Sequence, residues 1–205
     1  MLPCHIVFEI YSSLWDWVER LSRQPPSTLA IYVYEQRTES GASFFDPEGK
    51  DGGPELCIHN PGRDSRSVRP VDDARVLTKL VTLSHEVGHA TSWHTNADDA
   101  WPDYSAASTH YIQVRTMLAL QRFGIECTEP MRVAAAAVVA ELTERERDVI
   151  WREENRAWEI GERLLRERGF GDWEAFEERR APQLRSYAIM LGRVKYEPCD
   201  FTALS

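Results

Sequence analysis

Apolar residues first recur at helical spacing: Ile10, Leu14, Trp17, Val18 and Leu21 share one face of an amphipathic helix expected over about 6–22. Gln24-Pro25-Pro26-Ser27 ends that pattern. Residues 29–34 are β-branched and aromatic and predict a strand, followed by a polar loop through Gly41, Gly49, Gly52 and Gly53. A second strand is expected at 55–59, where Leu56 and Ile58 alternate with more polar neighbours. Asn60-Pro61-Gly62 then turns the chain into a charged stretch at 62–69 that should be exposed.

From residue 73 the pattern is helical almost to the end. One helix is predicted over 73–93, preceded by the turn and cap Pro70-Val71-Asp72-Asp73, and a loop over 96–104. Further helices are expected from 105 to 123, stopping at Gly124, and from Pro130 through the alanine-rich segment to 142. Thr143-Glu144-Arg145-Glu146 has the form of a capping box and should open a helix reaching Gly169. A last helix is expected over 172–191, interrupted or restarted near Pro182. The expectation is an α+β, mostly helical fold in one domain spanning 1–205. It comprises an N-terminal helix and small sheet (1–70), metal-site helices (71–169) and a helical extension (170–205).

Composition narrows the function classes. A formal net charge of −9 argues against nucleic acid as the main partner. The arginines of the C-terminal third alternate with glutamates, as on a solvated helix face. The first 23 residues are broken by Glu9, Asp16, Glu19 and Arg20, so neither a signal peptide nor a membrane span is expected. Cys4, Cys57, Cys127 and Cys199 are widely spaced and read as reduced, mostly buried residues of a cytoplasmic protein. The seven tryptophans fall mostly on predicted helices and are expected in the core.

The chemistry lies in His85-Glu86-Val87-Gly88-His89. A helix puts i and i+4 on one face, so His85 and His89 can grip one metal ion while Glu86 projects beside it towards a bound water. Gly88 is a poor helix former, and close approach of another backbone would account for it. A catalytic Zn²⁺ normally takes a third protein ligand. On the helix after 143, Ile150, Ala157, Trp158, Gly161, Leu164 and Leu165 make one apolar face. Glu154 falls about 25° from its centre and Glu153 about 75° away. A carboxylate inside an apolar stripe is costly unless paired or metal-bound, which makes Glu154 the expected ligand. Glu153, Glu141 and the aspartates of 98–103 stay open as alternatives, as does an ion pair of Glu154 with Arg115 or Arg132. A third histidine ligand would need Gly at 92 and His at 95, where the chain has Ser92 and Thr95; His94 should only flank the site.

Thr82-Leu83-Ser84-His85-Glu86-Val87-Gly88-His89, with Glu153/Glu154, Ala157-Trp158 and Leu164-Leu165 downstream, resembles the gluzincin-like metallopeptidases of the ImmA/IrrE type. The resemblance implies a zincin-like fold and a zinc metallopeptidase acting on a peptide or protein substrate. His85, His89 and Glu154 would hold the metal and Glu86 would serve as general base. His94, Tyr104, His110 and Tyr111 are candidate donors to the oxyanion, and strand 55–59 could offer its edge to an extended peptide. The competing expectation is a catalytically inactive fold of the same kind that engages a protein partner.

Overall fold

Helix α1 (Cys4–Leu21) buries Ile10, Leu14, Val18 and Leu21 of the anticipated stripe together with Val7, Tyr11 and Trp15, while Trp17 is partly buried. The computed structural model describes residues 3–21, 31–38, 43–47, 49, 53–60, 76–96, 101–122 and 142–194. Within these, strands β1 (Tyr32–Gln36), β2 (Phe44–Asp46) and β3 (Glu55–His59) precede helices α2 (Val76–Asn96), α3 (Trp101–Arg122), α4 (Glu144–Glu167) and α5 (Trp173–Met190). The architecture of the described residues is α+β and mostly helical, with one three-stranded sheet and five helices. No described helix is long and apolar enough to cross a membrane.

The sheet order is β1-β3-β2. β1 runs parallel to β3, from Tyr32 opposite Glu55 to Gln36 opposite His59, and β2 pairs antiparallel, Phe44 opposite Cys57. β3 is therefore the central strand. Both its edges are occupied, so the expectation that it presents an edge to a peptide is corrected; among the described residues the outer strands are β1 and β2. β2 itself lies inside the stretch read as loop, because three residues are too short to show a period of two.

The main core joins α1, the inner sheet residues Val33, Leu56 and Ile58, Leu80, Leu83 and Val87 of α2, and Trp158 and Leu164 of α4. Trp15, Trp93, Trp101 and Trp158 are buried, and Trp17 and Trp173 pack against the same core. A buried polar cluster pins the sheet to the helices: Glu35 of β1 accepts from Tyr11 at 2.6 Å and Asn60 at 2.8 Å, and pairs with Lys79 at 3.3 Å. A carboxylate with no solvent access needs such partners. Cys57 is buried in β3 as expected, whereas Cys4 is exposed at the start of α1.

Other differences are local. α3 begins at Trp101 rather than Ser105, with Pro102 in the first turn, where its missing N–H costs no hydrogen bond. The capping box at Thr143 and Glu146 is formed and opens α4, and Gly169 closes that end with φ +73. α5 runs through Pro182 without a break. The carbonyl deprived of its partner belongs to Glu178, an exposed residue that water can serve. The helix expected at 130–142 falls outside the described residues up to 141, as do the cap at 70–73 and residues 29 and 30 of the first strand.

Candidate metal centre

α2 and α4 cross with almost nothing between their backbones. A Cβ on Gly88 would stand 2.0 Å from the Ala157 carbonyl oxygen, and one on Gly161 would stand 2.6 Å from that of Ser84. The close backbone approach expected at Gly88 is thus present, and its partner is α4. Small residues at 84 and 88 face small residues at 157 and 161, which brings the side chains one turn away into contact.

Those side chains are His85, His89 and Glu154. Each is buried and offers one ligand atom, and the three atoms lie within 4.8 Å of one another. His85 Nε2 is 3.5 Å from Glu154 Oε2, and His89 Nε2 is 3.7 Å from Glu154 Oε1. The carboxylate that approaches both imidazoles is Glu154, as the helical wheel placed it. Tyr104 donates to Glu154 Oε1 at 3.0 Å and stacks on His89, ring centres 5.7 Å apart. Trp158 stacks on His85 at 4.3 Å.

Two observations fit the donor set to a divalent transition metal. Glu154 Oε2 is buried with no hydrogen-bond donor among the described residues, an oxygen that a cation would satisfy. Two imidazoles and one carboxylate are a recognised ligand set for zinc, and they also suit other divalent ions. The group could hold a metal ion whose identity the geometry leaves open.

Glu153, at the edge of the apolar face, is nevertheless covered. It is buried, accepts a hydrogen bond from Ser92 Oγ at 2.9 Å, and places Oε1 3.4 Å from His89 Nδ1. A carboxylate on Nδ1 leaves Nε2 of the same ring turned towards Glu154, the usual way a ligating histidine is oriented. The wheel angle was right, but the edge of the face is covered by α2, which a single-helix projection does not contain. Ser92, one turn after His89, was the available signal.

The electrostatics separate the four central groups. Burial, and then the neighbouring His89, push His85 down to about 3, so its imidazole is neutral. Burial also works against a charge on His89, but the Glu154 carboxylate and then Glu153 outweigh it and hold the ring protonated up to about 10. For Glu154, burial favours the neutral acid, and His89 reverses this, leaving the group ionised down to about 2. Glu86 is raised to about 7, chiefly by burial with Glu154 adding to it, while His89, a hydrogen bond from the Phe45 backbone N–H and Arg179 restrain the rise. Its carboxylate stands one residue from His85 on α2 and is not one of the three clustered donors.

The remaining anticipated residues are dispersed. His110 pairs with Glu146 at 3.0 Å, and Tyr111 stacks on Tyr187 in a second, smaller core. His94 is buried farther along α2. Tyr104, one of the four proposed oxyanion donors, donates a hydrogen bond to the cluster. Glu141, Asp98, Asp99, Arg132 and the side chain of Arg115 fall outside the described residues. Comparison with family models, with curated proteins and with solved structures gives no significant match.

Proposed function

We propose that this chain is a metal-dependent hydrolase, zinc being the metal its donors suit best, and that it cleaves peptide bonds with Glu86 as general base. A zincin-like arrangement of the ImmA/IrrE type accounts for the pairing of the motif helix with a later glutamate-bearing helix. The observation that carries the reading is a buried triad of His85, His89 and Glu154 with a separate carboxylate, Glu86, held near neutrality beside it. A purely structural site has no use for that fourth, non-clustered carboxylate.

The division of labour follows from the side chains. When bound, the metal supplies Lewis acidity, polarising a carbonyl and making a water more acidic. His85, neutral, and His89, steered by Glu153, present Nε2 atoms towards Glu154. A buried carboxylate beside the triad can accept a proton from water and return it to a leaving amine; that is the role of Glu86. The aromatic walls of Trp101, Tyr104 and Trp158 exclude solvent from the imidazoles.

The test uses Glu86→Gln, which keeps the shape of the side chain. Metal-loaded native protein and variant are incubated with a proteome-derived peptide mixture, and new termini are read by mass spectrometry. Cleavage should fall by about 10²-fold or more in the variant while metal content is unchanged. A variant that cleaves like the native chain rejects Glu86 as base, and a variant that loses its metal makes Glu86 a ligand.

A further inference from the structure

The face of α2 that carries His85 continues towards the start of the helix through Val81, one turn earlier, and Thr78, nearly another turn back. With Leu77, these residues wall one side of a cavity of ≈ 280 Å³ whose opposite wall is α5, through Ala175, Glu178 and Arg179. An aromatic stack fixes α5 in that position: Phe176 meets Trp158 edge-on at 5.5 Å, and Trp158 lies on His85. Arg179 comes one turn after Phe176.

Arg179 is exposed and has no hydrogen-bond or ion-pair partner among the described residues. Glu178 borders the same cavity. Leu77, Val81 and Ala175 offer apolar surface beside the guanidinium. The volume falls just below the range of ligand pockets, roughly 300–1,000 Å³, and suits one or two residues of a longer substrate.

We infer that this cavity is a substrate subsite adjoining the metal centre, in which Arg179 binds a carboxylate of the peptide. The inference rests on the hydrolase reading for its purpose and on the cavity for its location. Guanidinium and carboxylate match in geometry, forming two parallel charge-assisted hydrogen bonds. The carboxylate can be the chain terminus or an acidic side chain. Arg179 is a specificity residue here and takes no part in the bond cleavage.

Two assays test this, one with zinc and one without. Zinc-loaded protein is titrated calorimetrically with succinyl, glutaryl and adipyl monohydroxamates and with acyl hydroxamates of equal length that lack the carboxylate. At least one carboxylate-bearing member should bind about tenfold more tightly than its neutral partner. Arg179→Ala should abolish that gain, and Arg179→Lys should keep part of it. In the second assay, metal-free protein is titrated by NMR with acetyl-Leu-Leu as free acid, acetyl-Leu-Leu amide and acetyl-Leu-Glu amide. An Arg179-dependent preference for the free acid assigns a terminal carboxylate, and one for the glutamyl amide assigns a side chain. Equal binding of all three peptides, or a preference that survives Arg179→Ala, overturns the inference. If the protein takes up no zinc while the metal-free preference is present, the hydrolase reading falls and the carboxylate site stands.

Discussion

Gly88→Ala exposes the packing on which the centre depends. In an isolated helix this change is favourable by roughly 0.8–1 kcal/mol, because alanine is the better helix former. In this chain the added methyl would stand 2.0 Å from the Ala157 oxygen, 2.7 Å from its carbonyl carbon and 2.8 Å from its Cα, where ordinary contact begins near 3.4 Å. All three atoms are backbone, so no side chain can rotate aside. The helices must part by about 1.4 Å at the crossing, and overpacking of this kind costs roughly 1–3 kcal/mol or more. The overpacking offsets the gain in helix propensity, and the net loss of up to about 2 kcal/mol should lower Tm by up to roughly 8 °C in a chain of this size. Glu154 sits one turn from Ala157 and moves with it, by far more than the ~0.2 Å tolerance of a metal–ligand distance. Zinc affinity should therefore fall together with Tm. The assays are thermal unfolding by circular dichroism with and without zinc, and chelator competition for the metal. Gly171→Ala is the control, since a Cβ there meets nothing within 4 Å. A Gly88→Ala protein at least as stable as the native chain, with zinc binding intact, would refute the proposed crossing of α2 and α4.

Further expectations follow from the same geometry. Glu154→Ala should abolish tight zinc binding by leaving two protein ligands, whereas Glu153→Ala should weaken it by about 10–100-fold, the usual loss when a histidine's orienting partner is removed; equal effects in dialysis against a chelator would erase the distinction drawn between them. Zinc affinity should rise with pH: the metal needs neutral His89, the free site holds that ring protonated up to about 10, and so binding expels a proton and strengthens towards tenfold per unit over pH 6 to 9. His85, neutral above about 3, and Glu154, ionised above about 2, contribute no slope in that range. Calorimetry in buffers of different ionisation enthalpy counts the released protons, and a count of zero removes His89 from the ligand set. Thr143→Ala should cost about 1 kcal/mol in denaturant unfolding by removing the capping box of α4, and no loss would mean that the cap is dispensable.

Strong periodic signals were legible in the chain. The α1 stripe, the motif helix, the capping box that opens α4 and the strand at Glu55–His59 all follow from local patterns that one sequence contains. Glu154 was found because an ionisable group in the middle of an apolar face is conspicuous without a partner. What escaped depends on a second element. The cover over Glu153 is not legible in its own helix because Ser92 and His89 belong to α2. β2 is a strand by virtue of pairing with β3, and its N–H at Phe45 reaches Glu86 only in the folded chain. Arg179 read as one charge among many on a solvated face, and only α2 packed against α5 gives it a cavity to border.

The buried ion pair of Lys79 with Glu35 has a mechanical consequence. Lys79 and Gly88 are nine positions apart, so they project about 180° from each other around α2. On one side the helix is held to β1 by a short charged contact; on the other it abuts the backbone of α4. Greasy contacts alone let a helix roll about its axis like a log between two neighbours. Here it behaves as a shaft keyed on opposite sides, with no free rotation. The directions in which His85 and His89 point are set by the polypeptide itself, before any ion arrives.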